Sequence, residues 1–246
     1  MADVVGKNSV ILLGTNALTT YFNRLTIDRS RTLVATPKFG NDGMTRSATL
    51  HDGRLVATGL HDDTATTVGA YMDTFFTTAA GQVMSAGPNL TTAGNETFLL
   101  QAKSVNYRIN PTAGGMSGLE FEALPDRLAT TDAGALAIER ARWLHALSAE
   151  TSTVNSAGVD FTAGTTNGGV AHLHVTASTV TAVTIKIQHS TDDAAGDPYA
   201  DLLTFTAVGP SLTSERGVVA AGTTVKRWLR FIISSFVGTT ITPAVA

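Results

Sequence analysis

Apolar and polar residues alternate at period two through most of this sequence, and this pattern most limits what the chain can fold into. The clearest examples are residues 119–123, 173–177 and 183–188. Alternation at period two puts every second side chain on the same face, which is typical of half-buried β-strands. Clusters of Gly, Asn, Asp and Pro separate these runs, as turns between strands require. The pattern predicts a mainly β protein.

One segment follows a helical period instead. Between Asp62 and Ala80, apolar residues recur at i, i+3, i+4, i+7 and i+8, which defines one face of an α-helix. Asp62 and Asp63 suit the helix start, and Gly81 suits its end. We therefore predict an α+β N-terminal part with one helix at about 63–80. Its predicted packing face comprises Val68, Tyr71, Met72, Phe75 and Phe76.

Two other segments are irregular. In residues 97–110 the apolar positions are even at first and odd later, so we predict a bulge near Lys103 and Ser104. Residues 135–148 fit a helix or a strand, and the sequence leaves both open.

The length of 246 residues suits one large or two medium domains. Ser, Thr, Asn and Gly accumulate without periodicity at about 148–158, which indicates a boundary. We predict a first domain at 1–148, of β-sandwich or barrel type with the packed helix. The second, at 152–246, has short, regularly spaced strands, which indicate a jelly-roll-like β-sandwich.

Charge and composition exclude several classes of protein. The chain has 17 basic and 20 acidic residues, a net charge of −3, so it lacks the basic field of a nucleic-acid binder. Only 15% of its residues are charged, against about 25% in typical domains, which suits surfaces that an assembly buries. Cysteine is absent, which excludes disulfides and thiolate metal sites, and no apolar run has membrane-spanning length.

Two groups of residues deserve a chemical interpretation. His172 and His174 share one face of a predicted strand, a spacing that metal sites use. No third ligand stands at a useful spacing, so we predict an exposed polar strand face. Asp192, Asp193 and Asp197 lie in one loop and could bind calcium, but they match no EF-hand pattern. We predict a solvated turn there.

Glu120 and Glu122 lie on the polar face of one predicted strand. Paired carboxylates can catalyse glycoside hydrolysis, but such pairs face each other across a cleft. We predict a negatively charged sheet face. No phosphate loop, dinucleotide fingerprint, nucleophile elbow or zinc-protease motif occurs. The sequence therefore predicts no catalytic residue, no cofactor, no metal and no enzymatic activity.

The N-terminal segments 8–13, 18–23 and 36–40 resemble the opening of tail tube proteins from long-tailed, siphovirus-like bacteriophages. In that family an arm and a short strand lead to a Thr-x-x-Phe-Gly turn. A Gly-Leu-x-Asp-Gly stretch follows, which resembles residues 49–53 except that Thr49 replaces the first Gly. The predicted helix follows in family order. Residues 168–176, 185–190, 201–206 and 225–230 resemble the C-terminal part of major tail proteins from actinobacterial phages.

The resemblance implies a virion structural protein that forms stacked homo-oligomeric rings, with hexamers as the expected ring, around a channel for genome ejection. It implies tape measure and tail terminator proteins as partners, passage of DNA without specific binding, and no membrane partner. Its location would be the phage tail, after assembly in the host cytoplasm. The 152–246 domain would face outward, unless both halves are tube domains and a trimer replaces the hexamer.

The resemblance also assigns candidate residues. Family lumens tend to be acidic, so Glu120 and Glu122 become candidates for the lumen wall. The candidates for the arm or loop that binds the adjacent ring are Val4, Val5, Lys38, Phe39, Asn41 and Asp42.

Two other functions stay open at this point. A receptor- or carbohydrate-binding β-sandwich of a tail tip or fibre would use exposed aromatic residues, for which Tyr199 and Trp228 are candidates. A metal-dependent hydrolase would rest on His172 and His174.

Overall fold

The structure is a computed structural model of the chain. It describes residues 9–36, 45–61, 68–78, 80–89, 91–111, 115, 117–126 and 138–246, with the backbone alone for 31–36 and 45–52. The strands are β1 (Val10–Leu13), β2 (Asn16–Ala17), β3 (Phe22–Thr36), β4 (Thr45–Leu60), β5 (Gln82–Gly87), β6 (Glu96–Asn110), β7 (Gly118–Pro125), β8 (Glu139–Arg142), β9 (Val154–Asn155), β10 (Val159–Asp160), β11 (Gly169–Ser190), β12 (Ala200–Thr204), β13 (Ser214–Val219) and β14 (Trp228–Val245). The helix α1 is Val68–Thr77.

The protein is mainly β, as predicted, and its strands pair antiparallel in two sheets. The described residues contain one α-helix, and that helix is too short to cross a membrane. Of the described residues 138–148, Glu139–Arg142 form strand β8 and none is helical.

The chain divides into two compact units that do not follow the predicted boundary at 148–152. Unit 1 comprises residues 1–20, 83–99 and 139–246, and unit 2 comprises 21–82 and 100–138. Each unit is thus assembled from separate stretches of chain. The domains 1–148 and 152–246 stay a prediction about which segments fold by themselves.

Unit 1 contains a six-stranded sheet and the short strands β1, β2 and β5. In the sheet, β10, β14, β11 and β12 are successive neighbours, while β13 pairs with β11 and β9 with β14. The alternating residues Val183, Ile185 and Ile187 are all buried, together with Leu173 and Phe231, in one apolar core. β1 pairs with β2 and with β5.

Unit 2 consists of strands in the order β6, β7, β4, β3 with α1 packed on them. Leu119, Phe121 and Ala123 of β7 are buried, as their alternation predicts. The rings of Phe75 and Phe121 meet edge to face, with centroids 6.5 Å apart. The predicted bulge in β6 is confirmed, because the register with β7 shifts between Ser104 and Asn106.

Candidate functional site

The predicted helix at about 63–80 is described only in part, because residues 62–67 and 79 lie outside the described residues. Val68, Met72 and Phe75 are buried, and Tyr71 is half-buried. Phe76 departs from the prediction, since its side chain is 52% exposed. At 100° per residue it lies about 80° from Val68 around the helix axis, at the edge of the apolar stripe.

The candidate lumen residues Glu120 and Glu122 lie in β7 on the face opposite Phe121, and both are half-buried. Across the sheet, Arg108 of β6 and Thr58 of β4 are the register partners of Glu120. Residues directly opposite each other in neighbouring strands share a face of the sheet. A basic residue therefore stands beside the predicted acidic row.

Two further arginines lie on the same face. Arg54 contacts Glu122 at 3.5 Å and Asp28 at 3.4 Å, and Arg24 lines a depression together with Glu120. We call the six residues of this surface the mixed face: Arg24, Asp28, Arg54, Arg108, Glu120 and Glu122. Its three positive and three negative charges cancel, so the described face is balanced rather than acidic. The sequence reasoning missed the arginines because they belong to three other strands, although Arg24, Thr26 and Asp28 alternate with Leu25 and Ile27.

The candidate residues of the inter-ring arm and loop all lie outside the described residues: Val4, Val5, Lys38, Phe39, Asn41 and Asp42. Their role stays a prediction.

The interpretation of His172 and His174 as an exposed polar face is wrong, because both side chains are 0% exposed. Strand β11 is covered on both faces here, so the alternation of apolar and polar residues does not distinguish buried from exposed side chains. Ser85 of β5, also 0% exposed, lies between the two rings. Its Oγ is 2.8 Å from His174 Nε2 and 3.2 Å from His172 Nδ1. We call Ser85, His172 and His174 the buried histidine cluster, and all three belong to unit 1.

The carbonyl groups that contact the two rings determine which ring nitrogen carries the proton. His174 Nδ1 lies 2.8 Å from the Gly14 carbonyl oxygen, which can only accept, so Nδ1 carries the proton. His174 Nε2 then accepts the hydrogen bond from the Ser85 hydroxyl. His172 Nδ1 lies 3.1 Å from the Met84 carbonyl oxygen and donates to it and to Ser85 Oγ. His172 Nε2 is left without a hydrogen-bond partner in the described structure, although it is buried.

Burial lowers the pKa of both histidines. The pKa of His174 falls to about 4, mainly through loss of hydration. The pKa of His172 falls well below 6.5, first through burial and then through the nearby charges of His174 and Arg216. Both rings are therefore neutral at pH 7. Within the described residues, no three His, Asp or Glu side chains form a group that could hold a metal ion.

The loop with Asp192, Asp193 and Asp197 is ordered by its own hydrogen bonds. Lys226 Nζ donates to both carboxylate oxygens of Asp197, at 2.9 and 2.7 Å. These contacts and the hydrogen bond from Thr191 lower the pKa of Asp197 to about 2. Its carboxylate thus binds a lysine of the same chain.

The two aromatic candidates for sugar binding are both partly covered. The guanidinium of Arg230 lies 4.1 Å from the centre of the Tyr199 ring, and the hydroxyl of Tyr199 donates to Asp193. Arg227 lies 5.5 Å from the centre of the Trp228 ring. An arginine thus lies against each ring, and the described structure gives no specific support for a carbohydrate site at Tyr199 or Trp228.

The sequence matches no protein-family model and no curated protein. The chain is similar to three solved structures. One is a chain of the virion of a native gene transfer agent particle, and another is a chain of the sheath-tube complex of an extracellular contractile injection system. The third is the Dit protein of phage SPP1, whose structure is described as a paradigm of the hub adsorption apparatus. Their sequence identities are 14%, 8% and 12%, and their TM-scores 0.43, 0.43 and 0.36. The matches cover 56%, 57% and 96% of this chain and 99%, 92% and 98% of theirs.

Proposed function

We propose that this chain is a structural subunit of a phage-type tail, which assembles with copies of itself into stacked rings that form the tail tube. The observation that carries the proposal is the β3–β4 hairpin of unit 2. Strand β3 has 15 residues and strand β4 has 16. Among the described strands β3 pairs only with β4, so its other edge is available to a neighbouring chain.

The far half of this hairpin is a two-stranded ribbon. β4 pairs with β7 only over Leu55–Leu60, whereas β3 pairs with β4 as far as Thr36 and Thr45. Thr45–Asp52 of β4 therefore has β3 as its sole partner among the described strands. At about 3.4 Å per residue these eight residues extend roughly 25 Å. A ribbon of two strands is marginally stable in water, so a partner subunit that adds strands or covers the ribbon would stabilise it.

The charge distribution suits a conduit for DNA. The mixed face carries no net charge, and the chain as a whole is slightly acidic. Tight binding of DNA depends on basic residues that neutralise phosphates. If the mixed face lines the lumen, DNA would pass without being held. In this proposal the rings are hexamers, 152–246 faces outward, and tape measure and terminator proteins meet the ends of the tube in the virion.

Electron microscopy of the purified full-length protein tests the proposal. We expect rings or hollow tubes in negative stain, and persistent monomers at high concentration would contradict it.

Two proline variants then test the edge of β3. Successive N–H groups of an antiparallel strand point to opposite edges, so only one of Asp28 and Arg29 donates toward β4.

We expect one of the variants Asp28→Pro and Arg29→Pro to stay folded but lose assembly, because proline blocks the outer edge. The other should unfold unit 2, because proline breaks the pairing with β4. Circular dichroism and light scattering separate the two effects. If the variant that stays folded still formed tubes, the edge of β3 would not join subunits.

The lumen assignment has its own test. We expect the double variant Glu120→Gln, Glu122→Gln to assemble normally, since the exposed contact of Glu122 with Arg54 contributes about 0–1 kcal/mol. Loss of tubes in this variant would show that the two glutamates join subunits rather than line the lumen.

A further inference from the structure

The buried histidine cluster lies where three distant stretches of unit 1 meet. Ser85 comes from β5, the histidines come from β11, and the carbonyl group of Gly14 belongs to the turn after β1. The contacts join residues 87, 89 and 160 positions apart in the chain. The cluster is therefore a polar attachment of the β1 and β5 strands to β11.

An additional proton on either histidine is incompatible with the hydrogen bonds of the cluster. A proton on His174 Nε2 would displace the hydroxyl proton that Ser85 donates to it. A proton on His172 Nε2 would create a buried N–H group without an acceptor in the described structure. A buried donor without an acceptor costs free energy, and a buried charge costs more. Protonation of either ring therefore favours a state in which the cluster is open to water.

The groups around the cluster give a positive ring no compensation. From β13, Arg216 is the register partner of His172, and its charge opposes protonation of that ring. Each histidine opposes a second charge on the other. The other residues that contact the rings or pair with the backbone of the two histidines are Gly14 in the turn after β1, Met84 and Ser85 of β5, Ser214 of β13 and Ala244 of β14. None of them has an ionisable side chain. The carbonyl oxygen of Ala246 accepts the backbone N–H of His172 rather than its ring proton.

We propose that the buried histidine cluster is an acid-sensitive latch, which holds the β1 and β5 strands on β11 at neutral pH and releases them as the pH falls toward 5. The inference goes beyond the proposed function and does not depend on assembly, because all the groups involved belong to one chain. It makes the attachment of two strands a function of pH.

The direction and size of the effect follow from proton linkage. An open histidine has a pKa near 6.5, whereas the closed cluster holds both pKa values lower. The open state therefore binds more protons, so acid favours opening below pH 6.5. Each histidine contributes up to tenfold per pH unit between the two pKa values. From pH 6.5 to 4.5 two histidines can raise the opening constant by up to about 10⁴-fold.

Hydrogen exchange of the full chain, corrected for the intrinsic pH dependence of exchange, measures this opening. We expect segments 10–14 and 83–87 to lose protection between pH 6.5 and 4.5. Segment 183–187, in the core of the same unit, should keep its protection. Equal loss in all three segments would show global unfolding and overturn the latch. Constant protection of 10–14 and 83–87 would overturn it as well.

A double variant identifies the groups that respond. His172→Asn keeps a donor near the Nδ1 position, and His174→Gln keeps an acceptor near the Nε2 position, while neither residue titrates. We expect the pH dependence of segments 10–14 and 83–87 to disappear. His189→Gln is the matched control, since it removes a partly buried histidine of the same strand outside the cluster. The control should keep the wild-type pH dependence. If the double variant kept that dependence and the control lost it, the proposal would be overturned.

A measurement on the unmodified protein covers the case in which the double variant does not fold. Long-range ¹H–¹⁵N spectra of the imidazoles report the protonated nitrogen of each ring. We expect both rings to be neutral with the proton on Nδ1 at pH 7, and to stay so at pH 6. A protonated ring at pH 6 in the folded protein would contradict the latch.

Discussion

At the scale of single residues, Gly59 shows how closely two strands can approach. A Cβ atom at Gly59 would lie 2.8 Å from the Cα atom of Phe22 and closer still to the carbonyl oxygen of Tyr21. Both are backbone atoms, which cannot rotate away as a side chain does. The register of β3 and β4 shifts at this point, between Phe22 and Arg24. Glycine is therefore required here because two backbones meet.

We expect Gly59→Ala to lower the free energy of unfolding of unit 2 by about 1–3 kcal/mol, the usual cost of overpacking. Urea unfolding followed by circular dichroism measures it. Gly118→Ala is the matched control, because Gly118 pairs with the adjacent Leu60 and its added Cβ would meet Asn110 at an ordinary 3.7 Å. Equal stability of the two variants would contradict the steric explanation.

The buried histidine cluster shows what the sequence could not reveal about single residues. Alternation correctly placed Leu173 and Val175 in the core, but it assigned the neighbouring His172 and His174 to solvent. Ser85 and Gly14, which bind the two rings, lie about 90 and 160 residues away along the chain. Local patterns contain no information about such contacts. The only local signal was the near absence of charged residues around His172 and His174.

At the scale of elements, the helix and the regular strands could be predicted because their periods are local. The burial of Val68, Met72 and Phe75 follows from helical spacing. The register shifts of the β11–β14 pair could not be predicted, because they depend on how two distant strands meet. The same limit hid the mixed face. One strand showed Glu120 and Glu122, while three other strands supplied the arginines.

Phe75 and Phe76 give a matched test of the helix orientation. We expect Phe75→Ala to destabilise unit 2 by about 3–5 kcal/mol, since it empties a buried site against Phe121. Phe76→Ala should change the free energy of unfolding by less than about 0.5 kcal/mol, because the side chain is 52% exposed. Denaturant unfolding of both variants measures the difference. Similar losses of stability would mean that the helix presents another face to the sheet.

At the scale of the whole molecule, each compact unit combines stretches that are distant in the sequence. Composition alone predicts a boundary near residues 148–152, because linkers have a local signature, and that boundary stays a prediction. No local sequence pattern shows that residues 1–20 and 83–99 belong to the same unit as 139–246. Leu144 lies in the same core as Leu173 and Phe231, although it precedes the predicted domain.

Because unit 1 includes residues outside 152–246, an isolated 152–246 fragment should behave differently from the full chain. We expect it to melt at a lower temperature than unit 1 does in the full chain, because it lacks Leu144, Ser85 and the strands β1 and β5. Without that cover His172 and His174 should titrate near 6.5. Thermal unfolding and NMR titration measure both properties. A fragment as stable as the full chain, with both histidines neutral at pH 5, would instead support 152–246 as a self-sufficient domain.

The hydrogen bond between Gly14 and His174 also has a consequence for biosynthesis. The carbonyl group of Gly14 leaves the ribosome 160 residues ahead of its partner. At about 5–20 residues per second, translation separates the two by roughly 8–32 s. Early in that interval neither β5 nor β11 has been synthesised, so the apolar strand Val10–Leu13 lacks both partners. The emerging chain thus exposes an apolar segment before its partners exist, and the rate of translation sets how long it stays exposed.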